Sequence, residues 1–223
     1  MNACVIIPTY NEEKMIGALV GQVKSLGLPV IVIDDGSQDK TSIVAGREGA
    51  VVLRNPDNQG KGASLRKGMK YALNNNFDAV ITMDGDGQHL PSDINFFLRL
   101  AQYSHSQVFI GNRMSKLKNM PWVRVFTNKF MSWLISKITK QKIPDTQCGF
   151  RLFKKEALSL ISLKTSKYET ESEALIRASR LGFRIESVPI KTVYNNEKSQ
   201  INPFIDTLRF IRFICKEVWT TRY

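Results

Sequence analysis

The chain has 223 residues, 43% of them hydrophobic, and a formal net charge of +12 at neutral pH, the make-up of one globular domain with at most an appendage and not of a disordered segment. No apolar run reaches the roughly 18 to 20 residues that cross a bilayer, and the opening MNACVIIPTYNEE lacks the basic, apolar and cleavage regions of a signal peptide. Cys4, Cys148 and Cys215 are far apart and in no C-x-x-C spacing, which excludes a disulfide framework and a zinc site and predicts a reducing, cytoplasmic setting.

Taken in chain order, residues 3–8, 30–34, 51–55, 79–84 and 108–112 are short, β-branched and continuously apolar, as strands buried on both faces must be. Helical stretches fill the intervals, over 12–26, 39–47, 60–75 and 91–103. This alternation predicts an α/β fold with a mostly parallel central sheet flanked by helices and right-handed crossovers. Beyond residue 112 the pattern changes. Residues 120–139 predict one or two helices, 144–153 a turn-rich loop entering a short strand, 169–181 a helix, 183–190 a strand, and 203–220 a basic C-terminal amphipathic helix. With no repeat or linker, the expectation is a catalytic domain over 1–200 and a helical extension over 201–223.

The charge is uneven. Residues 1–112 carry ten Lys+Arg against eleven Asp+Glu, whereas residues 113–155 carry eleven Lys+Arg against Asp145 alone. A basic segment of this kind suits an anionic partner, be it nucleic acid, a phospholipid surface or a phosphorylated substrate, or is simply a solvated face.

In a parallel sheet, ligands sit beyond the carboxyl ends of the strands, and the chemically interesting residues cluster there: Pro8 to Glu12, Asp34 to Asp39, and Asp84 to Gln88. In D-G-D-G-Q (84–88), glycines relax the backbone so that Asp84 and Asp86 converge on one cation. Hard carboxylate oxygens suit Mg²⁺ or Mn²⁺, and breaking a sugar–phosphate bond builds charge on a departing diphosphate that such an ion neutralises. An acid after the second strand suits a ribose hydroxyl or a base, although Asp39 reads as a helix cap. Tyr10, at the end of the first strand, suits the flank of a base. N-Q-G-K-G (58–62) reads as a turn and helix start, too short for a P-loop.

Together, IPTYNE, IDDGSQDKT, MDGDGQH, GNR and CGFRLFKKEAL resemble family-2 glycosyltransferases of the dolichyl-phosphate (polyprenyl-phosphate) mannosyltransferase type, over nearly the whole chain. The resemblance implies the GT-A (Rossmann-like) fold, an inverting hexosyl transfer from a nucleotide-diphosphate sugar such as GDP-mannose or a UDP-sugar, and Mg²⁺ or Mn²⁺. It implies that Pro8, Tyr10, Glu12, Ile33 and Asp35 hold the nucleotide, that Asp84, Asp86 and Gln88 bind the metal, and that Gly85 lies beside the donor. Asp86 and Gln88 also border the donor. Arg113 pairs with the diphosphate or the acceptor phosphate, and Glu173 matches a family acid, although Glu169 and Glu171 beside it read equally as a solvated acidic face.

The acceptor leaves two versions open. A phosphate monoester, mostly dianionic with a second pKa of about 6, attacks without a base if cations hold the two anions together; Arg113, Lys198 and Ser199 fit this version. A hydroxyl acceptor in polysaccharide, lipid or protein needs a carboxylate base, for which Asp145 is the candidate, or else a loop cap. The chain departs from the family's R-x-x-G-x-S-K segment, where Tyr194 and Gln200 replace the basic residues and Lys198 stands on the other side of Ser199, which bears on mannose and on the lipid-phosphate acceptor. Aromatic and basic side chains interleave in 120–139 (Trp122, Phe126, Phe130, Trp133 with Lys129 and Lys137) and in 203–220, where Phe210 and Phe213 widen the apolar face. This predicts peripheral contact with the cytoplasmic face of a membrane, the other reading being that one stripe of each helix packs on the core. A nucleic-acid-binding protein explains the charge but not the strand-end carboxylates, and an inactive transferase-like subunit does not explain the intact Asp84/Asp86 pair.

Overall fold

The computed structural model of the protein describes residues 1–114 and 122–191 together with 210–215 and 217. Seven strands form one sheet in the order β3-β2-β1-β4-β6-β5-β7. They are β1 (Ala3–Thr9), β2 (Val30–Asp34), β3 (Val51–Arg54), β4 (Ala79–Thr82), β5 (Val108–Asn112), β6 (Arg151–Lys154) and β7 (Ile185–Pro189). The middle strands are mainly apolar because helices cover both sides: every residue of β2 and β4 is buried, including Asp34 and Thr82 at their carboxyl ends. At the edge, β3 is half-open, and Val51 and Arg54 face solvent.

Helices α1 (Glu13–Ser25), α2 (Thr41–Arg47), α3 (Lys61–Asn74) and α4 (Ile94–Tyr103) fill the intervals between β1 and β5, as the alternation predicts. Each presents an apolar stripe inward; α1 buries Ile16, Leu19, Val20 and Val23, the i, i+3, i+4, i+7 pattern of an amphipathic helix. Strands are laid outward from β1 to β3, and β4 then returns to the other side of β1. The reversal opens a crevice beyond the carboxyl ends of β1 and β4, the place where such sheets bind ligands.

The second half holds the departures. β6 enters between β4 and β5 and is antiparallel to both, so its beginning, not its end, lies at the crevice. The residues that lead into it, 144–150, are thereby brought to the same side as the ends of β4 and β5. Helix α6 (Lys155–Leu160) was not foreseen from the sequence; its six residues are too few for a clear period. Helix α5 (Trp122–Thr139) is a single helix and α7 (Glu169–Arg180) falls where expected.

Two amphipathic readings resolve in opposite directions. In the C-terminal segment Phe210, Phe213 and Ile214 are buried in the main core, and Glu217 accepts from Arg177 of α7 at 3.1 Å and from Arg180. The two phenylalanines therefore serve the domain, which corrects the expectation that they broaden a lipid face. In α5 the buried positions are Asn128, Ser132, Ile135 and Thr139, whereas Trp122, Phe126, Phe130 and Trp133 are 81%, 70%, 52% and 57% exposed. The aromatic stripe points away from the domain.

The turn before α3 is shaped by close approach. A Cβ on Gly62 would lie 1.9 Å from Thr170 Oγ1 and 2.7 Å from the Ser166 carbonyl carbon, and the Gly62 amide donates to Ser166 O at 2.8 Å. The start of this helix is thus occupied by the chain itself, as the turn reading of N-Q-G-K-G anticipates. Gly62→Ala is expected to lower unfolding free energy by about 1–3 kcal/mol through overpacking, measured by urea denaturation.

Candidate active site

The loops after β1 and β2 are zipped together. The Asn11 amide donates to Ser37 Oγ (2.9 Å), the Gln38 amide to Asn11 Oδ1 (2.8 Å) and the Glu12 amide to Thr41 Oγ1 (2.8 Å). Asn11 takes a left-handed φ of 57°, a conformation asparagine tolerates better than most residues. Asp39 accepts from the Thr41 amide at 3.0 Å and the Glu13 amide at 3.2 Å, so it ties the starts of α1 and α2 together, although Lys40 and not Asp39 is the N-cap of α2. Burial pushes its carboxyl up, but these hydrogen bonds outweigh that and hold it below its ordinary value. Between the two loops lies a cleft of about 760 Å³ whose lining includes Tyr10, Ser37, Asp39, Arg54, Pro56 and Asn58.

The expected nucleotide residues divide within this region. Tyr10 lines the cleft and Pro8 sits in register with Ile33. Glu12 reaches the neighbourhood of Gly85, where an added Cβ would lie 3.6 Å from Glu12 Cγ. Ile33 is wholly buried, and a Cβ on Gly68 of α3 would approach its Cγ1 to 3.2 Å, so its side chain belongs to the sheet–helix interface. The Asp35 carboxylate accepts from Asn55 Nδ2 (2.7 Å), the Gln59 amide (3.0 Å) and the Gly60 amide (2.7 Å). Its work in the free protein is to hold the 55–60 loop that walls the cleft.

At the end of β4, Asp84, Asp86 and Gln88 follow one another around a turn in which Gly87 has a φ of 70° and the Gln88 amide donates to Asp86 Oδ1 at 3.0 Å. The space around Asp84 depends on Gly149, where a Cβ would lie 2.5 Å from Oδ2. A cation already stands at the other oxygen: Lys61 Nζ is 2.5 Å from Asp84 Oδ1 and 2.8 Å from Glu171 Oε1. Burial works against the charge on Asp84, but Lys61, reinforced by His89 and Arg113, lowers its pKa to about 2. Lys61 is held protonated well above the ordinary lysine value because Asp84 and Glu171 outweigh its own desolvation. Among the described residues no three His, Cys, Asp or Glu side chains form a metal cage. The side chains of Asp84, Asp86 and Gln88 offer two carboxylates and an amide oxygen, hard donors of the kind that suits Mg²⁺ or Mn²⁺.

His89 lies behind this turn. Its Nδ1 accepts the Asp84 amide at 3.4 Å, and its ring packs on Phe150 with centroids 5.2 Å apart. Burial lowers its pKa to about 4, against the pull of Asp84.

The opposite wall comes from the loop before β6. Asp145 is fully buried and accepts from Arg113 Nε (2.7 Å), Arg113 Nη2 (2.9 Å), the Arg113 amide (3.1 Å) and the Gln147 amide (3.2 Å). A carboxylate committed to a bidentate fork is not placed to take a proton from a substrate hydroxyl. What the structure gives Asp145, the base candidate of the hydroxyl version, is the orientation of the Arg113 side chain. Ser132 of α5 fixes this loop, since the Thr146 amide donates to Ser132 Oγ at 2.9 Å. Lys198 and Ser199 lie outside the described residues.

Four residues of this region carried no signal of their own in the sequence. Lys61 was hidden in a motif read as a turn, and Glu171 in a helix face read as solvated. Glu171 turns inward to Lys61, while Glu173 is buried and accepts the Lys164 and Thr165 amides at 3.0 and 2.9 Å, pinning a loop. Arg151 is 2% exposed, donating to the Thr146 and Cys148 carbonyls at 2.9 and 2.8 Å and to that of Glu171. His89 differs from an ordinary core histidine only in what surrounds it. The cysteines are free as expected, with Cys4 and Cys148 buried and both thiols pushed up to about 12, chiefly by desolvation.

An open α/β sheet with paired acids at its switch point, a cleft beside the first two strand ends and an arginine across from the acids is the GT-A fold of nucleotide-sugar glycosyltransferases. The chain belongs to glycosyl transferase family 2, whose family model matches residues 4–161. It is 33% identical over 213 residues to the UDP-N-acetylglucosamine–dolichyl-phosphate N-acetylglucosaminyltransferase of Methanococcus voltae, covering 85% of each chain. It is 29% identical to the polyprenol monophosphomannose synthase of Mycolicibacterium smegmatis, covering 83% of this chain and 75% of that one. The glucosyl-3-phosphoglycerate synthase of Mycobacterium tuberculosis, solved with Mn²⁺, UDP and glucosyl-3-phosphoglycerate, shares the fold with a TM-score of 0.75 at 20% identity, over 98% of this chain and 79% of that one.

The unfolded chain protonates its histidine near 6.5, whereas folded His89 resists until about 4. Stability is therefore expected to fall as pH is lowered through this window, by up to about 1.4 kcal/mol per pH unit. Urea unfolding as a function of pH checks this, and His89→Gln should flatten that part of the profile.

Proposed function

We propose that this enzyme transfers a hexose from a nucleotide-diphosphate sugar to polyprenyl phosphate at the cytoplasmic face of a membrane. Chain-long similarity to transferases named for dolichyl and polyprenyl phosphate acceptors supports it. The observation that carries the choice of acceptor is Asp145, whose carboxylate is spent on Arg113. A phosphate acceptor needs no base; a hydroxyl acceptor does.

In this reading the nucleotide occupies the cleft beside Tyr10, Pro8 and Glu12, walled by the loop that Asp35 holds. Asp84, Asp86 and Gln88 would hold Mg²⁺ or Mn²⁺, which would supply positive charge against the departing diphosphate. Arg113, pre-set by the Asp145 fork, holds the acceptor phosphate, and Lys198 and Ser199 add to that contact. The acceptor oxygen attacks the anomeric carbon from the face opposite the diphosphate, which gives inversion. Arg113 offsets the repulsion between two anionic substrates, and positioning of this kind is worth orders of magnitude in rate.

A donor screen across UDP- and GDP-sugars, with a short-chain polyprenyl phosphate and Mg²⁺ or Mn²⁺, tests the reading. Transfer is expected with one donor class and is lost in Asp86→Ala. Asp145→Asn should lower kcat/KM about 100-fold, as misplacement of a positioning group does. Inert polyprenyl phosphate beside an active hydroxyl acceptor would overturn the assignment.

The exposed stripe on α5 supports peripheral membrane contact. Lys129, Lys137 and Lys140 are exposed on the same helix and just after it, the mixture of aromatic and basic groups that settles at an anionic lipid surface. Among the described residues no helix is long and apolar enough to cross a membrane. The chain is expected to float with anionic vesicles; Phe130→Ser with Trp133→Ser should release it, and salt should weaken it.

A further inference from the structure

The Lys61 side chain is placed with unusual care for a residue in a turn. Gly60 and Gly62 flank it. The Gly60 amide is held by Asp35 at 2.7 Å and the Gly62 amide by Ser166 O at 2.8 Å, so the backbone at 61 is tied on both sides. From there the ammonium bridges Asp84 Oδ1 at 2.5 Å and Glu171 Oε1 at 2.8 Å, in surroundings where the three side chains are only 20%, 26% and 11% exposed. Little water screens them, and charges in such a setting interact far more strongly than at an open surface. The charged groups acting on this spot are Asp84 and Glu171 on one side and Lys61 and Arg113 on the other.

We propose that Lys61 is the built-in counter-ion of the acidic turn, occupying Asp84 while no divalent ion is bound and retiring to Glu171 when one arrives. This positioning role rests on the reading of Asp84 and Asp86 as metal ligands. An ammonium and a divalent ion cannot share Asp84 Oδ1 without strong repulsion. The ion therefore enters at the expense of the Lys61–Asp84 contact, and Glu171 gives the displaced ammonium a partner in the half-buried site. Two consequences follow. The free protein binds the metal weakly, with the acids kept ionised and in place. A nucleotide diphosphate brings the negative charge that lets ammonium and metal coexist, so metal and donor bind cooperatively.

The test is Mn²⁺ titration of the full chain without nucleotide, with free Mn²⁺ followed by electron paramagnetic resonance. Lys61→Met should tighten Mn²⁺ binding about tenfold, since one like charge leaves the site, and Lys61→Gln should act in the same direction. Glu171→Gln should weaken binding, and more so with Lys61 present than in the Lys61→Met background, because only then is an ammonium left without its second carboxylate. UDP or GDP should lower the Mn²⁺ Kd of the unmodified protein by a larger factor than that of Lys61→Met. Unchanged or weaker Mn²⁺ binding in a cooperatively unfolding Lys61 variant overturns the proposal. If neither Lys61 variant folds, Glu171→Gln decides, and unchanged or tighter binding there overturns it. An unmodified protein that takes up no Mn²⁺ with any nucleotide sinks the metal-dependent reading itself, whereas normal Mn²⁺–nucleotide binding that is insensitive to Lys61 sinks only this inference.

Discussion

One buried guanidinium organises the second half of the molecule. Arg151 opens the strand that enters against the grain of the sheet, and its side chain donates to three backbone carbonyls, two in the loop before β6 and one in α7. A buried charge is costly unless its hydrogen-bonding capacity is met; here carbonyl dipoles meet it in place of a carboxylate. The result is a fixed loop from Thr146 to Gly149, and from that loop hang both the fork that orients Arg113 and the gap that admits the Asp84 carboxylate. The same guanidinium ties down the turn of α7 that carries Glu171. The cleft beside the ends of β1 and β2 is held differently, by side-chain-to-amide hydrogen bonds between successive strand ends.

The first half was legible because its elements obey simple periods. Continuous apolar runs such as VIVID mark strands buried on both faces, and strand-helix alternation leaves few topologies. From that, the clustering of Tyr10, Asp35 and Asp84 at one end follows without any family knowledge. What escaped was pairing. Nothing local in Lys61 announces that it lies beside Asp84 and Glu171, residues distant in the chain, and a glutamate on an apparently polar helix gives no sign of which way it turns. The antiparallel course of β6 is set by tertiary contacts with β4 and β5, and not by the composition of RLFK. Asp145 was legible as a candidate from its place before the CGFR turn; its pairing with Arg113 was not.

The helix α5 inverts the usual economy of a surface helix. It buries Asn128, Ser132 and Thr139 and turns four large aromatic residues outward. Its polar inner face is useful because Ser132 and Ser136 hydrogen-bond the 143–146 backbone. One helix thus fastens the loop before β6 and offers an apolar exterior. The described part of the C-terminal segment divides, with Phe210, Phe213 and Ile214 in the core and Ile211 and Cys215 exposed.

The late arrival of β6 has a consequence for synthesis. β4 is buried along its whole length, and one of its sides stays without a hydrogen-bonding neighbour until residues 151–154 have been made. A nascent chain that has already folded its first half presents, for some seventy residues of translation, a bare strand of the kind that recruits other chains. Truncation before Cys148 would make that exposure permanent, leaving a fragment that contains the cleft beside the first two strands yet is prone to aggregate.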